Sequence, residues 1–215
     1  LQLGTGIKKQ KPEAPPDQAQ VKKARRRRSE CIERETKQMY RRAFSETQLL
    51  DLLPEGLKEG HSYNFITAGD VDALSYLKMV LREQPLDYML FSTWCMAGDD
   101  VLQIEEWLQQ GKIKTCDAYL GEVFPGTYKM EYKKLKEVIP KYGGRIAVFH
   151  NHSKIFAGTG VKFQFGIQTS ANINTNPRTE NGCITIDKGL YEFYKAYFDG
   201  IESYVKDVSK TKGNQ

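Results

Sequence analysis

Three residues able to do chemistry together stand two apart in the stretch FHNHSKIFAG: His150, His152 and Lys154. The stretch is otherwise apolar and rich in strand formers. Read as a strand it alternates faces, so all three side chains point the same way. Two imidazoles and an ammonium on one face make poor core material, because burying cations without partners is costly. The pattern predicts an anion opposite them. A second polar cluster follows where a strand is expected to stay apolar. After KFQFGIQ comes TSANINTNPRTENG, which offers hydroxyl and amide groups from Thr169, Ser170, Asn172, Asn174 and Asn176 at a strand end, then a turn at Asn176-Pro177. Composition alone reads this segment as an Asn-rich loop.

The elements that must position these groups alternate between strand and helix signals. YNFIT (63–67), LDYMLFSTW (86–94) and KIKTCDAYL (112–120) read as strands, with amphipathic helices from DVDALSYLKMVLRE, DDVLQIEEWLQQG and YKMEYKKLKEVIPKYGG between and after them. Pro140 and two glycines are expected to end the third helix. RIAVFHNHSKIFAG, VKFQFGIQTSANI and GCITID read as later strands, and KGLYEFYKAYFDGIESYVKDV as a long final helix with Leu190, Phe193, Tyr194 and Tyr197 on one side. Strands separated by helices imply a largely parallel or mixed sheet covered by helices, and the later strands, joined without one, an antiparallel portion. Upstream, Ser45 with Gln48 forms a capping pattern before LLDLL, and Pro54 to Gly56 stops that helix. Ser29 to Tyr40 reads as a polar helix. His61, in EGHSYN, reads as a surface residue.

The 215 residues suffice for one α/β domain plus an appendage. Charge is uneven: residues 1–45 carry thirteen Lys/Arg against five Asp/Glu, a net +8, while the whole chain carries +5. Residues 141–180 hold Lys141, Arg145, Lys154, Lys162 and Arg178 against Glu180 alone. Two regions could therefore attract a polyanion. One is the arm of residues 1–28, where the run Arg25, Arg26, Arg27, Arg28 reads either as a phosphate-binding patch or as a solvated tail. Cys31, Cys95, Cys116 and Cys183 are scattered without metal-ligand spacing and read as free thiols of a reduced, cytoplasmic compartment. No apolar run is long enough to span a bilayer. The chain does not open on Met, which leaves a presequence open, and nothing in it looks like a signal peptide.

The order His-x-Lys, then Ser-x-Asn on the next strand, then Glu, resembles the signature of the phospholipase D superfamily. His152 and Lys154 match its H-x-K element, Ser170 and Asn172 its G-S-x-N element, and Glu180-Asn181 the acidic pair that usually follows. The resemblance covers residues 60–205 and includes the final CITIDKGLYEFYKAYFDGI. Position 159 is Thr where many members carry Asp, and position 169 is Thr where the family has Gly. Restriction-enzyme-like and helicase-associated nuclease members share the missing Asp, which favours nucleic acid over lipid as substrate.

The resemblance implies an α/β fold, a phospholipase D-like mixed sheet with helices on both faces, in residues 57–209. A basic arm (1–28), a helical extension (29–56) and a short tail (210–215) flank it. It implies an endonuclease-like hydrolase of phosphodiester bonds in DNA or RNA, working without metal or cofactor through a covalent phosphohistidine. His152 would be the nucleophile, with Lys154 and Asn172 donating to the non-bridging oxygens where charge accumulates. Ser170 would hold the loop or the phosphate, and Glu180 would orient an imidazole. His150, Lys162 and Arg178 are further substrate-binding candidates; His150 is the alternative nucleophile but lacks the H-x-K spacing. One motif per chain implies a homodimer with a composite site across a twofold interface. The competing readings are a degenerate nucleic-acid-binding or assembly protein, motivated by Thr159 and Thr169, and, last, an enzyme of phospholipids, with no membrane insertion expected.

Overall fold

The computed structural model describes Thr47, Leu49 and residues 51–205 apart from 69–70 and 175–177. The arm with Arg25 to Arg28, the helix expected from Ser29 to Tyr40, the Ser45–Gln48 capping pattern, the Asn176-Pro177 turn and the tail 210–215 lie outside those residues. The helix expected before Pro54 is present in its last turn, where the Leu53 N–H donates to the Leu49 carbonyl at 3.0 Å.

The elements run β1 (Ser62–Thr67), α1 (Ala73–Glu83), β2 (Leu86–Thr93), α2 (Gly98–Gln109), β3 (Ile113–Gly121), α3 (Phe124–Thr127), α4 (Lys129–Lys141), β4 (Ile146–Phe149), β5 (Ile155–Gly160), β6 (Gln164–Thr169), β7 (Glu180–Thr185) and α5 (Lys188–Asp199). Local chemistry sets the helix starts. Asp72 caps α1 by accepting from the Ser75 N–H at 2.9 Å, and Asp187 caps α5 by accepting from the Leu190 N–H at 2.6 Å. Pro140 does not end α4 but sits in its last turn, and the helix runs on to Lys141. Gly143, with φ +76°, then turns the chain out of the helix.

Seven strands form one open sheet in the order β1-β7-β6-β5-β2-β3-β4. β2, β3 and β4 are mutually parallel, whereas β5, β6, β7 and β1 join as antiparallel neighbours, so the expected mixed sheet is present. Successive residues of β2 face opposite sides. Met89 and Phe91 meet a core with Leu77, Ile104 and Leu135 from α1, α2 and α4, while Leu90 joins Tyr194 and Phe198 of α5. Helices thus flank both faces.

The final helix is shorter than its sequence pattern. It ends at Asp199, and residues 201–205 run beside β4, where the Tyr204 N–H donates to the Val148 carbonyl at 2.8 Å and Ser203 Oγ accepts from the Val148 N–H at 3.0 Å. This return covers part of the exposed edge of the sheet. The buried stripe of α5 is Tyr194 and Phe198; Phe193 and Tyr197 face solvent, 63% and 57% exposed. Among the described residues no helix is long and apolar enough to cross a membrane.

Candidate functional site

The strand expected through FHNHSKIFAG is two strands. β4 stops at Phe149, β5 starts at Ile155, and residues 150–154 form the loop between them. Topology explains the break. β4 pairs with β3 in parallel and β5 pairs with β2 antiparallel, so the chain must cross the ends of β3 and β2 and reverse. The carboxyl ends of β1, β2, β3, β4 and β6 meet the starts of β5 and β7 at this edge of the sheet. Ligands bind at such a place in open α/β sheets.

Buried Asn151 pins the crossing. Its Nδ2 donates to Ser92 Oγ at 2.9 Å and to the Tyr119 carbonyl at 3.0 Å. Its Oδ1 accepts from the Ser153 N–H at 3.0 Å and from Ser153 Oγ at 2.7 Å. The loop packs closely on the sheet: a Cβ at Gly121 would lie 3.1 Å from the Asn151 carbonyl oxygen and 2.9 Å from Trp94 Cδ1.

Because the segment is a loop, the side chains of His150, His152 and Lys154 do not form the single row that a strand would give. His150 turns aside, with Nδ1 3.7 Å from Glu122 Oε1 and its ring edge-on to Tyr204 at 4.9 Å. His152 and Lys154 come together: Lys154 Nζ lies 3.2 Å from His152 Nδ1 and donates to the His152 carbonyl at 2.7 Å. The exposed His152 ring sits 5.6 Å from Trp94. Burial holds the Lys154 ammonium below its usual pKa, against Cys95 and the charge of Glu180, which raise it.

The neighbouring polar segment builds the second wall. Ser170 Oγ donates to the Glu180 carboxylate and accepts from the Asn181 N–H at 3.0 Å, while the Ser170 N–H donates to the Asn181 carbonyl at 3.0 Å. Thr169 shapes this turn: its Oγ1 donates to the Asn181 carbonyl and accepts from the Ala171 N–H, both at 3.0 Å. The Thr169 N–H donates to the Lys154 carbonyl at 3.2 Å, which ties the two walls together. Asn172 is half-buried, and its Oδ1 has no hydrogen-bond partner among the described residues. Burial raises the pKa of the Cys95 thiol, with Tyr128, Lys154 and Asn174 acting against it.

Some expectations are displaced. Glu180 opens β7, a strand that begins earlier than GCITID suggested, and its carboxylate accepts from Ser170 Oγ. Lys162 belongs to the turn of the β5–β6 hairpin, at the opposite end of those strands from Lys154; its N–H donates to Gln84 Oε1 at 2.7 Å and its ammonium is 4.0 Å from Glu83. It is not brought to the site. Thr159 stands near the same far end, bonded through Oγ1 to Gln164 at 3.3 Å and away from His152. Arg178 is exposed two residues before β7. Asn151, Ser92 and Trp94 belong to no motif in the sequence; the signal for Asn151 is its position between two histidines.

The arrangement places an imidazole, an ammonium, a hydroxyl–carboxylate pair and an amide at one edge of the sheet. Such groups suit an anionic, phosphoryl-sized partner. No protein-family model matches this sequence, and no curated protein matches it. Among solved structures it is similar to the polyphosphate kinase of Porphyromonas gingivalis, with 11% identity over 74% of this chain and a TM-score of 0.51. The chain spans only 28% of that kinase. Looser likenesses are to TrmBL2, an archaeal chromatin protein (12% identity, 85% of this chain and 63% of that one, TM-score 0.44), and to phosphatidylserine synthase from Haemophilus influenzae Rd KW20 (10% identity, 64% and 37%, TM-score 0.47). The kinase likeness shows the fold alone. The class is an open, mixed seven-stranded α/β sheet flanked by helices, similar in fold to part of that kinase.

Proposed function

We propose that this protein is a metal-independent phosphodiesterase acting on nucleic acid through a phosphohistidine at His152. The observation that carries the reading is the pairing of His152 with Lys154 on a pinned loop, tied by backbone to the Ser170–Glu180 bracket. Lysine has no acceptor, so its contact with Nδ1 puts the neutral ring's proton on Nε2. A phosphoryl oxygen is the stronger acceptor for an ammonium. Drawing Lys154 to that oxygen releases Nδ1 to take the ring proton and leaves the lone pair on Nε2. Nε2 then attacks phosphorus, the P–N bond forms, and the P–O bond to the departing strand breaks. Lys154 and the Asn172 amide stabilise the charge gathering on the non-bridging oxygens. The departing oxygen takes a proton from the His152 of a second copy, so the working unit is a twofold dimer. Water then cleaves the P–N bond, and its proton passes to the same second imidazole.

The test is incubation of the purified protein with labelled single- and double-stranded DNA and RNA in EDTA, beside His152→Ala. Cleavage that survives chelation and is lost in the variant is expected. Equal binding by both proteins with no cleavage by either would leave a nucleic-acid-binding protein without catalysis. Turnover of a phosphatidyl substrate in place of nucleic acid would return the lipid reading.

A further inference from the structure

A groove opens beside His152, between the β4–β5 loop and α5. It holds about 350 Å³, and His150, His152, Phe149, Ile155, Phe193 and Tyr197 are among its walls. That volume suits a small flat group and not a helix or strand of another protein. Its walls carry no carboxylate among the described residues. Phe193 and Tyr197 stand one turn apart on α5, so their rings lie on one helical face. Both are largely exposed, whereas the adjacent Tyr194 and Phe198 go into the core. Large exposed rings beside a reactive imidazole form a surface suited to stacking.

We infer that this groove takes an unstacked nucleobase next to the scissile phosphate, which makes a single strand the preferred substrate. The inference rests on the nucleic-acid reading above and adds to it a base-binding subsite. His152 is common to both places, so a group attached to the phosphate it attacks falls directly into the groove. A flat aromatic ring packs against Phe193 and Tyr197, and its polar edge meets His150 and the backbone of the loop. Paired bases cannot enter, because their faces are already covered by their neighbours in the stack. The same geometry makes base identity a minor factor, since every base offers a π face.

The experiment measures binding, by anisotropy in EDTA at fixed salt, of a phosphorothioate oligothymidylate and of an abasic phosphorothioate strand of equal length and charge. The wild type is expected to bind the base-bearing strand about tenfold or more tightly than the abasic one. Phe193→Ala with Tyr197→Ala is expected to bring that ratio close to one, whereas Phe193→Tyr with Tyr197→Phe keeps it. Equal binding of the two strands by the wild type, or an unchanged ratio in the alanine variant, overturns the subsite and leaves the phosphodiesterase reading intact. Conversion of a dimer to a monomer by the alanine pair, seen by sedimentation, also overturns it and makes the groove an interface between copies. No binding of either strand, with no cleavage of unmodified strands, removes the nucleic-acid reading and the subsite together.

Discussion

Lys154 carries the conflict between stability and chemistry in this site. Its ammonium is held below the usual lysine pKa by burial, so the folded state binds that proton less tightly than the unfolded chain. The sign follows directly. The cost is fully present below the folded pKa and is relieved as pH rises through it toward the unfolded value of about 10.4. Lys154→Met, which keeps the stem and removes the charge, should therefore unfold at an equal or higher denaturant concentration at pH 7. Its advantage should shrink as pH approaches 10. The same variant should lose phosphodiester cleavage by at least about a hundredfold, as removal of one charge-stabilising donor commonly does. Urea midpoints at several pH values and single-turnover rates check the two halves. A midpoint well below wild type at pH 7 would mean that the bond to the His152 carbonyl outweighs desolvation.

At the scale of elements, the β4–β5 crossing decides where His152, the proposed nucleophile, stands. Asn151 holds this loop to the ends of β2 and β3 through groups that are themselves buried. Asn151→Ala should cost about 2–4 kcal/mol, because it strands several buried partners at once. Cleavage should fall even where the variant remains folded, and urea melts with parallel rate measurements on the folded fraction check this. The sequence made much of this level legible. The apolar and aromatic run LDYMLFSTW marked β2, amphipathic patterns marked the helices around it, and the order of His152, Lys154, Ser170, Asn172 and Glu180 named groups that stand at one end of the sheet. The loop itself was masked, because the polar run HNHSK is flanked on both sides by strand formers and its two-residue spacing of His150, His152 and Lys154 mimics one face of a strand. Only the partners of its two ends, β3 for one and β2 for the other, force the break, and pairing is a long-range property. Lys162 misled for a related reason: closeness in charge and sequence does not reveal which end of a hairpin a residue occupies. The short α5 follows the same rule, since the apolar pattern continues past Asp199 but Gly200 and the free edge of β4 take the chain elsewhere.

For the whole molecule, the central expectation is that one chain supplies one histidine to a site that needs two. Mixing wild type with His152→Ala, with exchange of subunits, should lower cleavage as the square of the wild-type fraction. A linear fall would mean that each chain works alone, and sedimentation equilibrium gives the stoichiometry independently. The net +8 of residues 1–45 acts at this scale too. Removing residues 1–28 should weaken nucleic-acid binding and flatten its dependence on salt, because fewer counterions are displaced. Affinity unchanged across a salt series would reduce the arm to a tail or a docking segment.

Trp94 stands against the His152 ring, whereas Trp107, the other tryptophan, is sealed at 2% exposure. The protein thus carries its own optical gauge. Light emitted from the indole beside the imidazole should change when an anion such as vanadate draws Lys154 away, while the interior indole supplies a constant background. Occupancy of the pocket edge becomes readable in unlabelled protein, on the timescale of mixing, before any bond is cut.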